Sequence, residues 1–568
     1  MLASHCAAPM DYPTGKLAFI LIAAVLLSCL GAWGVAHRYR SAMRRLMGAP
    51  ALAVGAAGET GATGHEPVPP GASAVAPPRP VTAQENRRAG QRLALLLIAL
   101  SGLLAASSAA LFLGFSLDEP FSFKRFAVLA LVRVWPVIPV LGLMWRWSRP
   151  RLLAALGLWC VLCFAVLWWR SIDAQPLALL QFLAGEIGVP MALVALLFMS
   201  AATRAVASWL LPPFVGLVWA SMLGIDGLAW MVAQRSPVLL WLTSWLSVNG
   251  VIALFALAPW GVAWWPLKRL GRALARAYAR KQLSELMVMF TAVWAIVLLV
   301  QALTSASSLG LRGLLMLLPL VWVPLVMTGM AVMDRSEQRR SNPASPPRPP
   351  TLLVLRVFQR DAQVQALFDQ VIERWRLTGN TVLIAGTDLI DRTLDADDIF
   401  TFLDGGLAQR FIATDADVAP RLAGFDLRPD AEGRFRINEC YCHDTTWRSA
   451  LDALVQRSDV VLMDLRGFQA HNAGCVHELQ TLAQAQRLGR VVVLVDDQTD
   501  RAAADAAAAA APAGRIVWLA AARTGSHAWR GVLRSLFAMA PAPSPAPAPA
   551  PSPVLDAAKR PGAHPHVP

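Results

Sequence analysis

Residues 17–45 read LAFILIAAVLLSCLGAWGVAHRYRSAMRR, and the order of the two halves of that stretch decides the fold. Leu17 to Ala36 contains no charged residue. About 20 such residues wound as a helix cover some 30 Å of hydrocarbon with every backbone group satisfied internally. Arg38, Arg40, Arg44 and Arg45 follow at once. Cations in short flanking loops are retained on the cytosolic side of a bilayer, so this span starts outside and leaves its basic end inside.

Comparable apolar stretches recur near 93–115, 126–145, 152–169, 176–200, 205–224, 243–265, 285–304 and 311–333, which makes about nine spans. Alternating them across a bilayer puts the following on the inner side: Arg87, Arg88 and Arg92; Arg146, Arg149 and Arg151; Arg204; the run Lys268, Arg269, Arg272, Arg276, Arg280 and Lys281; and Arg335, Arg339 and Arg340. The opposite loops are poor in basic residues and include Asp118, Glu119, Asp173 and Asp226. One alternation fits every loop. It predicts a multi-pass protein of a bacterial-type inner membrane, N-terminus outside and C-terminal part in the cytosol. Leu26-Leu27-Ser28-Cys29 faintly resembles a lipoprotein cleavage box. The basic cluster follows the apolar run instead of preceding it, which is the charge order of an inverted anchor.

The chain of 568 residues is 56% apolar and 15% charged, with 21 Trp, outside the range of ordinary soluble proteins. The apolar excess is confined to the first 333 residues. From 351 to 540 there are 24 Asp and Glu against 20 Arg and no Lys. The formal charge of +14 therefore sits beside the apolar spans, and nucleic acid is excluded as the natural partner. Seven Cys, several inside apolar runs, give no disulfide framework. Cys160 and Cys163 share a helix face and read as packing.

The segmentation follows. Residues 1–47 are an N-terminal anchor, 48–86 an Ala/Gly/Pro-rich disordered linker, and 87–340 an eight-helix region. Then come a Pro-rich linker at 341–350, an α/β domain at 351–540 and a disordered Pro/Ala tail at 541–568. Within 266–283, Arg269, Arg272, Arg276 and Arg280 recur at helical spacing beside Leu267, Leu270 and Leu274. This fits a helix lying on the inner leaflet, and equally a solvated extension of the neighbouring span.

Charges inside spans are expensive and ask for a partner or a pathway. Arg133 and Glu186 lie at depths that differ by only about 5 Å at 1.5 Å per residue, so they are placed to pair. The pair reads as a structural lock between helices, with a transport pathway as its functional counterpart. Pro136, Pro139, Pro190, Pro212, Pro213, Pro319 and Pro324 also fall inside spans. Broken helices occur at transporter sites, although Pro is frequent in membrane helices generally.

From Leu352 short apolar runs alternate with helical periodicity, the pattern of a doubly wound parallel sheet. Strands are expected at 352–358, 381–385, 435–438, 460–465, 491–495 and 516–519, and helices at 362–377, 397–411, 446–456, 475–486 and 528–537. The runs Val460 to Leu465 and Val491 to Val495 are apolar throughout, so both sheet faces are covered. Ligands of such sheets bind at the carboxyl ends of the strands. Asp464 and Arg466 come to that edge from the strand side. Glu478 is expected in the first turn of the next helix, favoured there by the helix dipole. Cys475 beside the same terminus would have a lowered pKa if reactive, or simply packs. Cys440-Tyr441-Cys442-His443 offers three metal-ligand types, but lacks a fourth ligand and the usual spacing. No metal and no cofactor is expected.

The stretch Ser458-Asp459-Val460-Val461-Leu462-Met463-Asp464-Leu465-Arg466-Gly467-Phe468, continued by Gly474-Cys475-Val476-His477-Glu478-Leu479, resembles the Toll/interleukin receptor (TIR) domain. That family has a hydrophobic strand, a loop and then a Trp-Cys-x-x-Glu-Leu helix start. It is also similar to the nucleoside deoxyribosyltransferases, with their Asp-Leu strand end followed by Glu-Leu. The likeness spans 447–487, with Trp447 and Ser458 at the earlier positions. Gly474 stands where the TIR pattern has Trp, Asp464 where it has Ser, and 411–445 is extra to both families. Asp388 and Asp391 fall where TIR domains carry acidic loop residues, and Asp388 is taken as ligand-binding with Cys475. The resemblance implies a flavodoxin-like sheet, and implies Glu478 as the group that attacks or stabilises the anomeric carbon of an N-glycosidic bond, with Asp464 and Arg466 orienting ribose or phosphate.

Three functions remain open: a membrane sensor or signalling protein whose domain binds or cleaves a nucleotide or nucleoside ligand, a transporter with a regulatory domain, and a non-catalytic interaction module. The expected partners are the lipid bilayer, that ligand and a second copy of the chain as a homo-oligomer. A reporter enzyme fused after Pro541 is expected to be active in the cytosol; activity only on the periplasmic side would reverse the topology.

Overall fold

Long uncharged runs make helices because, where water is excluded, only intrahelical bonding satisfies the backbone. In a computed structural model the chain is described over residues 14–48, 78–116, 121–170, 175–200, 203–340, 348–356, 367–385, 396–443, 445–520 and 526–538. Among these residues nine helical segments are long and apolar enough to cross a membrane. They are built from α1 (Thr14–Gly48), α2 (Ala83–Ser116), α3 (Phe123–Arg133) with α4 (Val137–Met144), α5 (Arg149–Arg170), α6 (Pro176–Leu183) with α7 (Val189–Leu197), α8 (Ser208–Ala233), α9 (Pro237–Ala279), α10 (Glu285–Leu309) and α11 (Trp322–Arg340).

The interruptions have local causes. α3 and α4 are separated at Val134–Pro136, where Pro136 can donate no backbone bond. Between α6 and α7, residues Ala184–Gly188 widen into a π-helical turn that carries Glu186, a distortion frequent at functional positions. α9 is broken at Ser247, whose φ of 60° lies outside helical space. α8 and α9 approach so closely that a Cβ on Gly224 would collide with the Phe255 carbonyl oxygen. Across the basic stretch 266–283 the helix of the preceding span simply continues, since α9 runs past Pro266 to Ala279.

The C-terminal part is one seven-stranded sheet, parallel throughout, ordered β3-β4-β2-β1-β5-β6-β7. The strands are β1 (Thr351–Arg356), β2 (Asn380–Ala385), β3 (Phe411–Ile412), β4 (Ile437–Cys442), β5 (Val460–Asp464), β6 (Arg490–Val495) and β7 (Ile516–Ala520). Within it, β2-β1-β5-β6-β7 is a doubly wound order whose direction reverses between β1 and β5. The extra segment 411–445 adds β3 and β4 outside β2. The sequence reading missed β3, placed β4 at 435–438 and extended one helix to 411. That helix is α12 (Ala396–Leu403), ended at the Asp404-Gly405 turn where Gly405 has φ +75°.

Side chains alternate between the sheet faces. Leu353, Leu355, Val461, Met463, Val491 and Val493 face α13 (Val418–Ala423), α14 (Trp447–Arg457), α15 (Ala473–Gln484) and α16 (Arg501–Ala507). Leu352, Val354, Leu383, Tyr441, Leu462 and Val492 face residues 367–375, α12 and α17 (Ser526–Phe537). This second cluster runs on without a break into Tyr39 and Met43 of α1 and Val81. Trp209 and Tyr278 pack edge-on at 5.5 Å, and Trp209 meets Phe400 of α12 at 5.2 Å. Tyr39 meets Phe402 at 6.0 Å. Helix array and sheet therefore share one core.

The ends of the two expected linkers are also fixed. Pro78 bridges Arg348, the Arg79 backbone N–H donates to the Arg348 carbonyl at 2.8 Å, and the Arg348 guanidinium donates to both Asp459 oxygens at 2.7 and 2.6 Å. The remaining linker positions 49–77 and 341–347, and the tail beyond 538, lie outside the described residues.

Because one sheet face depends on helix ends, a fragment of residues 348–538 is expected to expose Tyr441 and Phe400, bind a hydrophobic dye and self-associate on size exclusion. A monodisperse, dye-free fragment would refute the shared core.

Candidate functional site

Asp464 is the last residue of β5, and Arg466 turns back on it before the chain reverses at Gly467, φ +75°. The Arg466 Nε donates to Asp464 Oδ1 at 2.8 Å and Nη2 to Oδ2 at 2.6 Å, and the Arg466 backbone N–H adds a third bond at 3.2 Å. Both side chains are buried. A bidentate pair of this kind is strongly self-satisfied. As placed, these groups hold the strand end and present little free valence to a ribose or phosphate.

Glu478 and Cys475 are both buried on α15. α15 begins at Ala473 after Asn472, so Glu478 lies in its second turn and not in the first as expected. The dipole effect falls off beyond the first turn, and the stabilisation expected from free backbone N–H groups does not reach Glu478. The Cys475 thiol is likewise not activated: burial, and then the Glu478 carboxylate, push its pKa up to about 12. The expectation of a lowered value fails because desolvation and a like charge outweigh the helix terminus. Trp447 stands edge-on to His477 at 5.5 Å, linking α14 to α15. Asp388 and Asp391 lie outside the described residues.

Cys440 and Cys442 share a face of β4 with sulfurs 3.7 Å apart. The His443 ring packs on Phe411 at 5.7 Å, as does Tyr441 at 5.5 Å, so the alternation of β4 sends His443 away from the thiols. Among the described residues no group of three or more His, Cys, Asp or Glu is placed to hold a metal ion.

Arg133 and Glu186 meet. The Arg133 Nε and Nη2 donate to the two Glu186 carboxylate oxygens at 3.0 and 3.1 Å, Nη1 donates to the Ser108 carbonyl at 2.9 Å, and Phe112 lies under the guanidinium at 4.8 Å. Gln301 Nε2 adds a bond to Glu186 at 3.3 Å. Four helical segments are thereby tied at one point: α2, α3, the α6–α7 turn and α10. A cleft of about 370 Å³ lies one turn away between Leu21, Val189, Leu193, Val300 and Leu303, with Thr304 as its polar lining.

The densest charge cluster was not visible in the sequence. Glu373 accepts from Arg146 at 2.9 Å, from Arg376 at 3.1 Å and from Arg434 at 2.5 Å. Arg146 belongs to the turn between α4 and α5 and takes φ 50° there; the other two come from the sheet domain. Burial alone would raise the Glu373 pKa, but Arg376, Arg146 and Arg434 together hold it well below the usual carboxylate range. Beside it, Arg436 donates to Asp430 at 2.9 Å and to the Tyr278 carbonyl at 2.8 Å, and lies over the Tyr278 ring at 3.6 Å. Lys281 pairs with Asp426 at 2.6 Å and Asp430 at 3.4 Å. Asn86 of α2 donates to the Arg374 carbonyl at 2.7 Å, and Glu285 of α10 accepts from the Ala396 backbone N–H at 3.1 Å. All these partners on the helix side come from helix ends that the charge alternation grouped together.

Glu186→Leu alone leaves a buried guanidinium and is expected to cost about 3–5 kcal/mol, whereas adding Arg133→Met should recover most of it; thermal unfolding of the full chain in detergent measures both. A depressed folded-state pKa stabilises above the unfolded value of about 4.3 and is lost as pH falls further. The Glu373 contribution is therefore expected to stay level from neutral pH to about 5 and to fall as pH drops below about 4.3, and Glu373→Gln should start lower and change less over that acid range.

Comparison with known proteins finds no matching family model, no matching curated protein and no matching solved structure, so the resemblance of residues 447–487 stands on those residues alone.

Proposed function

We propose that the chain is a multi-pass inner-membrane sensor or signalling protein, N-terminus outside, whose cytosolic α/β domain responds to the state of its membrane helices. The observation that carries this reading is the Glu373 cluster, a buried ionic joint between Arg146 of the helix array and Arg376 and Arg434 of the sheet domain. A domain that merely hung from an anchor would have no need to bury charges against it, since a buried ion pair is weak evidence for stability and better suited to fixing geometry.

The membrane part of the reading rests on exposure. Leu158 and Val262 are 72% and 81% exposed, and apolar surface on this scale calls for hydrocarbon around it. Exposed Trp168 and Trp169 lie in the last turn of α5, Trp230 in the last turn of α8 and Trp241 at the start of α9, the placement of interfacial tryptophans. Lys16 pairs with Asp226 at the end with few basic residues.

The ligand of the domain is proposed to be nucleotide-derived and held at the carboxyl edge of β5, with Glu478 as the group nearest to chemistry. If that Glu acts at an anomeric centre, it stabilises a developing oxocarbenium ion. Purified full-length protein incubated with NAD and with nucleosides tests this. Base release that falls at least 100-fold in Glu478→Gln would support cleavage. Ligand binding without turnover, equal in both proteins, would leave a sensor; no binding at all would remove the ligand reading.

A further inference from the structure

Four cations on the last turns of α9, Lys268, Arg269, Arg272 and Arg276, and Arg280 directly after it are exposed, and none forms an ion pair among the described residues. Their depth follows from how the helices lie against one another. Gly31 of α1 faces Phe214 and Leu210 of α8, Gly216 of α8 faces Leu267 of α9, and Trp209 packs on Tyr278. Residues 267–278 of α9 therefore run beside 209–216 of α8, and these in turn beside Gly31. Gly31 lies about five residues, or about 8 Å, inside the end of the uncharged run of α1. Lys268 and Arg269 thus sit at a level where α1 is still apolar, with Arg272 and Arg276 nearer its edge.

Cations on an outward helix face at such depth are costly unless they reach the interface or the interface comes to them. The flanking residues fit this. Trp264 and Trp265 are exposed just before the row, and the Arg269 guanidinium stacks on Trp265 at 3.4 Å. Arg276 spends its Nε on the Arg272 carbonyl at 3.3 Å, which leaves its terminal nitrogens outward. Immediately after the row, Lys281 pairs with Asp426 and Asp430. The sheet domain thus takes the cation at the end of the row and leaves the five before it.

We propose that this face of α9 is a binding surface for anionic phospholipid headgroups of the inner leaflet, whose phosphates supply the counter-charges that the protein does not. The proposal rests on the membrane reading above. Phosphates of lipid, and not free anions, are its occupants, because the row continues directly from an exposed apolar helix face and is bordered by the exposed Trp264 and Trp265.

Full-length protein is reconstituted in nanodiscs of phosphatidylcholine alone or mixed equally with phosphatidylglycerol, and lipids retained after mild detergent extraction are counted by native mass spectrometry. Wild type is expected to retain phosphatidylglycerol preferentially and to unfold at higher temperature in the mixed discs. The variant R269Q/R272Q/R276Q/R280Q should lose that preference, each removed charge weakening it about five-fold, while R269K/R272K/R276K/R280K should keep most of it. Equal preference in the Gln variant and wild type would overturn the proposal. So would equal stabilisation by inorganic phosphate or glycerol phosphate, which would point to a free-anion site. Release of the protein from membranes by alkaline carbonate would instead overturn the membrane reading, so the two failures are separable.

Discussion

One carboxylate, Glu373, keeps three guanidinium groups from repelling one another at the boundary between helices and sheet. Remove its charge and Arg376 and Arg434 lose their shared carboxylate, while Arg146 keeps only Asp369 at 3.6 Å, in a poorly hydrated space where like charges are far more costly than in water. The apolar contacts around it, Trp209 on Phe400 and Tyr39 on Phe402, supply adhesion without direction. The ionic joint supplies register, because a planar guanidinium fork accepts few geometries. The orientation of the sheet on the helices therefore depends on it.

The Arg133–Glu186 lock does a similar job inside the helix array, and the two differ in what surrounds them. Around the lock the remaining bonds are made with neutral groups: Arg133 donates to the Ser108 carbonyl, and the Gln301 amide donates to Glu186. Around Glu373 they come from further cations. The first arrangement is electrically balanced and suits a fixed core. The second gathers three guanidinium groups on one carboxylate, with Asp369 beside Arg146 at 3.6 Å, and so depends on that carboxylate staying charged.

Much of the fold was legible in the sequence because it is local or periodic. Uncharged runs gave the long helices, the charge alternation gave the grouping of their ends, and the continuous runs at Val460 and Val491 gave the two central strands. Arg133 and Glu186 were paired by depth alone, since two buried charges in an apolar region have few other choices. What was missed is of another kind. β3 is two residues long, too short for any periodic signal, and the start of α15 lies two residues before the position read from the pattern, enough to move Glu478 from the first turn to the second. The Glu373 cluster joins residues as far apart as Arg146 and Arg434, and nothing in an arginine's immediate neighbours says which distant carboxylate it will meet.

The short bridge between Pro78 and Arg348 ties together two places in the chain that are far apart in sequence. Through the Arg348–Asp459 pair it also reaches the start of β5, which lies beside β1 at the reversal of the sheet. The start of α2 is thus tied to the amino ends of the two strands at which the sheet order reverses, and not to its periphery. One arginine therefore staples three separate places in the chain to one another.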